Sequence, residues 1–231
     1  GVAGGFIDWL YPRRLAALAP DSLIAFNAGG QGSGKTTATR AAEVERAADL
    51  LMDGTLQDEA RSRQQIDAAL GLGHLVQIRF AYCPWEKAVA NILRRAGEGS
   101  GRVVPLARAA RGHFQAARTV LSLADAPLDN PDDVFVFDNS DFLNPVQRDL
   151  RWLRQQLHES VEKLLETGRI AADQYFRENR DNQDLCAEAI RDSFFQTRTG
   201  AQAVSAPQRG YPHSASPGRP GTQRLGPSEV G

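Results

Sequence analysis

Three kinds of side chain in this chain could do chemistry together: a glycine-cradled lysine, two strand-end carboxylates and a set of arginines. Gly29-Gly30-Gln31-Gly32-Ser33-Gly34-Lys35-Thr36, with Thr37 behind it, fits the phosphate-loop spacing G-x-x-x-x-G-K-[ST]. The glycines let the backbone curl so that successive amides face phosphate oxygens. A helix starting near Lys35 would add its positive end. Lys35 is placed to reach the β- and γ-phosphates of ATP, and the Thr36 hydroxyl to sit on Mg2+. The plain alternative is a glycine-rich turn ahead of a helix.

Asp53 closes the apolar run Leu50-Leu51-Met52, and Asp138 closes Val134-Phe135-Val136-Phe137. In open α/β sheets ligands gather at such carboxyl ends. Asp53 reads as a base for an acceptor hydroxyl, as a partner of Mg2+, or as a turn aspartate before Gly54. Asp138 fits the Mg2+-side carboxylate of phosphate-loop proteins, so the two acids compete for that role. Arg94, Arg95 and Arg102 flank the flexible run Gly97-Glu98-Gly99-Ser100-Gly101. Arginines on a mobile loop neutralise charge during phosphoryl transfer, whereas a solvated basic helix end is the bland reading, preferred for Arg94. His113, midway along a helix, reads as structural.

The elements that must position these groups alternate. Strands are expected at Leu23–Phe26, Leu50–Asp53, Leu75–Tyr82 and Val134–Asp138, with helices between them. The last strand is apolar until its aspartate, as a strand buried on both faces should be. Pro12, Pro84 and Pro105 each open a helix, and the loop helix runs from Thr36 to about Asp49. Phe6, Ile7, Trp9, Leu10 and Tyr11 are expected to pack on the core, the alternative being an interface to a missing N-terminal region. After Asn144-Pro145, Val146 to Leu165 keep helical spacing as one long helix, and 170–195 continue as an amphipathic helix. The fold class is therefore α/β: a doubly wound, mostly parallel sheet of the phosphate-loop NTPase type with a helical C-terminal part.

With 231 residues, 42% of them hydrophobic, the chain can bury a full core. Residues 1–196 are expected to form one domain, with core 21–143 and C-terminal helices 145–196. The Gly-, Pro- and Ser-rich tail 197–231 should be disordered. A formal net charge of −1 gives no pull toward nucleic acid or membrane. No apolar run approaches membrane-spanning length and the first residues do not look like a signal peptide, so a cytoplasmic setting is expected. The start at Gly1 rather than Met suits an excerpt of a longer protein. Cys83 and Cys186 form no metal or disulfide pattern.

Four segments together resemble the zeta-toxin family of kinases: AGGQGSGKTT, LLMDGT, RRAGEGSGRVVP with the downstream His113 helix, and VFVFDNS. The resemblance covers about Leu23 to Ser140. It implies a doubly wound α/β kinase using ATP and Mg2+, whose toxin members phosphorylate the 3′-hydroxyl of the amino sugar in UDP-N-acetylglucosamine. It matches Lys35 and Thr36 to the nucleotide-binding pair, and Arg95 and Arg102 to arginines that close on the phosphates. Asp53-Gly54-Thr55 corresponds to the acidic-Gly-Thr strand end lining the substrate site. The best-known toxins carry an extra strand whose aspartate is the general base. Here the loop helix leads almost directly to LLMDGT, so Asp53 takes that role or the base is missing. An antitoxin or other inhibitory protein is the implied partner. The alternative function is a nucleotide-binding switch in a larger assembly.

Overall fold

The computed structural model describes residues 2–41, 48–99, 103–126, 128, 133–182 and 188–196. The chain divides into two units, Gly1–Thr197 and Arg198–Gly231, and the expected disordered tail lies outside the described residues. The first unit is built on a five-stranded sheet in the order β2-β1-β3-β4-β5. Strands β1 (Leu23–Ala28), β2 (Leu50–Asp53), β3 (Leu75–Tyr82) and β4 (Val134–Asp138) are mutually parallel. The short β5 (Val146–Arg148) pairs antiparallel with β4.

All six residues of β1 are buried, because it lies between β2 and β3 with helices over both faces. On one face Ile24, Phe26, Val76, Ile78, Phe80 and Val136 join a core with Ile66 of α3 (Glu59–Gly71) and Val120 and Leu123 of α5 (Leu106–Asp125). On the other face Ala81 and Phe137 pack with Ala38 of α2 (Lys35–Ala41). A second core joins Trp85, Val89 and Leu93 of α4 (Trp85–Gly97) to Leu164, Ala172 and Phe176 of α7 (Val161–Glu178), with Phe194 of α8 (Glu188–Phe195). Trp85 donates its indole N–H to the Leu164 carbonyl at 2.8 Å. Burial pushes the free Cys83 thiol up to about 12, which leaves it inert at neutral pH. No described helix is long and apolar enough to cross a membrane.

Two expectations change. The first helix, α1 (Val2–Ala16), starts ten residues before Pro12 and carries the proline inside. Tyr11 and Leu15 are buried, but Phe6, Ile7 and Trp9 stay 58%, 39% and 53% exposed. Phe6 and Trp9 instead stack on each other, and Arg13 lies over the Trp9 ring. The long helix expected from Val146 is three elements: β5, then α6 (Leu150–Gln155), then α7. Asp149 caps α6 by accepting from the Trp152 amide, and Ser160 caps α7 by accepting from the Lys163 amide. These caps satisfy free helix-end amides and restart the helix twice inside one apolar pattern. Farther on, α7 and α8 are separate helices, with 183–187 between them outside the described residues; so are 42–47, where the loop helix was expected to continue.

Candidate active site

The carboxyl ends of β1 and β2 are in register, with Asn27 paired to Asp53. The Gly54 amide donates to the Asn27 carbonyl at 3.0 Å, so the ladder holds Asp53 in place beyond the strand. From the end of β1 the chain enters the glycine loop. Gly29, Gly32 and Gly34 have φ of 139°, 77° and 74°, values an L side chain rarely adopts. Gly34 is further constrained, because a Cβ there would run into Asn139 and Phe142.

The loop is strapped from two sides. Asn91 of α4 donates to the Gly32 carbonyl at 3.0 Å. Asn139, fully buried just past β4, donates to the Ser33 and Gly34 carbonyls at 2.7 and 3.2 Å. With these carbonyls tied outward, the loop's conformation is set before any ligand arrives. Neither asparagine stood out by spacing. Asn139 carried a signal only in following Asp138 at the strand end, and Asn91 carried none.

Lys35 begins α2 and folds its ammonium back to the Gly29 and Gly30 carbonyls at 3.2 and 3.4 Å. Burial holds its pKa below the ordinary lysine value; Asp53 works against that and Arg95 adds to it. Lys35, Asp53 and Arg95 are thus one electrostatic group. All three line a cavity of about 670 Å³, with Gly32, Ser33, Gly34, Thr36 and Thr37. Asp53 also lines a second cavity, about 300 Å³, formed by the end of β2, the following loop and the start of α3. One carboxylate therefore stands in the walls of both.

Arg94 also lines the cavity of about 670 Å³, but it is taken by Glu98, in the same wall, in a salt bridge at 2.8 Å. Arg102 lies outside the described residues. Asp138 lines neither cavity; its carboxylate accepts from the Ser140 hydroxyl and from Arg148 at 3.3 Å. Gly30 faces α5, where a Cβ would meet His113 Nδ1 at 2.9 Å. Gln31 turns toward Gly112 of the same helix. His113 is buried among Tyr82, Trp85 and His158.

A family model described as zeta toxin matches residues 41–146, from the end of α2 to the start of β5. Over these residues the chain is similar to zeta toxins. The match begins after the glycine loop, so the loop's geometry is separate support. A chain of the AvrRxo1-ORF1:ORF2 complex, solved with ATP, is similar over 80% of this chain and 84% of its own, with 13% identity and a TM-score of 0.50. At that identity the likeness is one of fold. A chain of the PezAT toxin–antitoxin system of Streptococcus pneumoniae aligns over 74% of this chain and 96% of its own, with 13% identity and a TM-score of 0.42. No curated protein matches this chain.

Proposed function

We propose that this chain is an ATP-dependent phosphotransferase that moves the γ-phosphoryl group to a hydroxyl of a small molecule. The observation that carries this reading is the position of Asp53, in the wall between the phosphate-loop cavity and the neighbouring cavity. A transferase must hold donor and acceptor on two sides of a shared catalytic group.

The triphosphate fits the strapped loop, where loop amides and the Lys35 ammonium supply positive potential. Lys35 then exchanges its two carbonyl partners for phosphate oxygens. Arg95 spreads further positive charge over the transferring group. Asp53 accepts the proton of the acceptor hydroxyl as the oxygen attacks phosphorus and the bond to the β-phosphate oxygen breaks. Arg102 is assigned the same phosphate-closing role as Arg95.

Mg2+ fits as a partner of the phosphates. Among the described residues no three of His, Cys, Asp and Glu converge to hold a metal alone. The Thr36 hydroxyl lies in the phosphate-loop cavity and would hold the ion. Bound there, Mg2+ would neutralise developing phosphate charge, with water and phosphate as its other ligands. Asp138, outside that cavity, would have to release Ser140 and Arg148 to join Thr36 on the ion.

The leucine face that suggested a switch module is spent internally: Leu164, Ala172 and Phe176 of α7 pack against α4 and α5. A cytoplasmic setting suits an ATP-consuming reaction. The AvrRxo1 chain is part of a two-protein complex solved with ATP, which supports a protein partner here too. The test is incubation with γ-labelled ATP, Mg2+ and a small-molecule extract. Label in a phosphorylated small molecule, lost in Lys35→Ala, supports the reading; label only in inorganic phosphate overturns it.

A further inference from the structure

The two cavities that meet at Asp53 carry opposite charge. The phosphate-loop side has three cations, Lys35, Arg94 and Arg95, against two carboxylates, Asp53 and Glu98, a formal charge of +1. The neighbouring cavity has two carboxylates, Asp53 and Asp58, and one guanidinium, Arg61. Arg61 is itself paired with Asp8 of α1 at 2.7 Å. The described lining of that cavity thus has a formal charge of −1 before Asp8 is counted.

A helix start is the usual place for a phosphate, and α3 starts at this cavity. Its position is already filled. Asp58 is the N-cap, and its carboxylate accepts from the Arg61 amide at 3.1 Å. A ligand phosphate would have to displace a fixed negative charge and meet Asp53 as well. The remaining polar lining is neutral: Thr55, Gln57, Ser62 and Gln65, over an apolar floor of Phe26 and Met52. At about 300 Å³ the cavity is at the small end of ligand pockets.

From this division we infer that the acceptor is a small polyhydroxyl compound or amino alcohol, uncharged or cationic, that carries no phosphate. This rests on the phosphotransferase reading and narrows it: UDP-N-acetylglucosamine, implied by the resemblance, would bring a diphosphate into the carboxylate-lined cavity. Hydroxyls and ammonium groups pair with carboxylates and amides, and the carbon face of a sugar or polyol suits Phe26 and Met52.

The experiment uses the full chain with a saturating non-hydrolysable ATP analogue and Mg2+, so that phosphate-bearing probes cannot occupy the loop. Amide resonances of Thr55, Gln57 and Gln65 are followed while matched probes are titrated. The probes are N-acetylglucosamine, glucosamine, other amine-bearing and neutral polyols, UDP-N-acetylglucosamine and sugar phosphates. Neutral or cationic probes should shift these resonances at concentrations at least about tenfold lower than their phosphorylated counterparts. Asp58→Asn keeps a competent cap while removing the charge, so it should narrow that preference about threefold or more. Tighter binding of UDP-N-acetylglucosamine, a panel that shifts none of these residues, or an unchanged preference in Asp58→Asn overturns the inference. Failure of the ATP analogue to perturb Gly34 and Lys35 would instead sink the phosphotransferase reading.

Discussion

Asn139 Nδ2 lies 2.7 Å from the Ser33 carbonyl, a contact joining the end of β4 to the turn that would cradle phosphate. It is wholly buried, so the strand and the loop cannot separate without exposing a polar pair. Asn139→Leu removes the donor and leaves two loop carbonyls without it. We expect a stability loss of about 1–3 kcal/mol and ATP affinity weakened by tenfold or more. Asn139→Asp should be worse, since a carboxylate would face carbonyl oxygens. Thermal unfolding with and without ATP separates the two effects. Unchanged ATP affinity in a folded Asn139→Leu protein would show that the loop holds its shape unaided.

Asp53 and Lys35 should separate chemistry from binding. Asp53→Asn keeps the size of the side chain and removes the base, so transfer should fall about 10²- to 10⁴-fold while ATP still binds. Lys35→Ala should lose both, because the ammonium serves ground state and transition state alike. Label transfer and nucleotide titration on the same preparations check this. Near wild-type transfer in Asp53→Asn would remove Asp53 as the base and reopen that role to another group.

The sheet was legible because its signals are local. Runs such as Val134–Phe137 are apolar on both faces, and Pro84 and Pro105 mark the starts of α4 and α5. The glycine loop was legible because few backbones need three positive φ angles so close together. The break between β5, α6 and α7 was hidden, since Asp149 and Ser160 cap helices inside an unbroken leucine pattern. The straps were hidden for another reason. Asn91 and Asn139 meet the loop across 59 and 106 residues of chain, and no local pattern encodes that meeting. Phe6 and Trp9 misled because an aromatic cluster looks like core whether or not anything covers it.

His113 makes the fold sensitive to acid. Burial first, and the nearby His158, hold its pKa down to about 3. Burial also lowers His158, against a smaller opposing effect of Glu86. The groups facing His113 are Tyr82, Trp85 and His158, with ring centroids 6.2, 5.1 and 5.4 Å away. An unfolded histidine takes up its proton near pH 6.5, so between there and pH 3 the unfolded chain binds more protons than the folded one. Stability is therefore full above about pH 6.5 and falls as pH drops toward 3, by ~1.4 kcal/mol per pH unit for this group. His113→Phe should flatten that slope. Denaturant unfolding at pH 7, 6, 5 and 4 measures it, and an equally steep slope in His113→Phe would assign the acid sensitivity to other groups.

Gly112 should show stability and binding moving in opposite directions. A Cβ there would meet Gln31 Oε1 at 2.5 Å and Gln57 Oε1 at 2.7 Å. Both oxygens are buried without a hydrogen-bond partner, and both are the ends of flexible side chains. Gly112→Ala therefore shifts two amides rather than backbone, and alanine is favoured over glycine within α5 by about 1 kcal/mol. Thermal stability should hold or rise. Gln31, however, belongs to the phosphate loop and Gln57 to the wall of the second cavity. Moving both should weaken ATP affinity several-fold and disturb the amide resonances of Thr55 and Gln57. Gly112→Ser adds a hydroxyl that can donate to one of those oxygens, and should recover part of the loss. If Gly112→Ala binds ATP as the parent does, the contact at Gly112 is packing alone and does not link the two cavities.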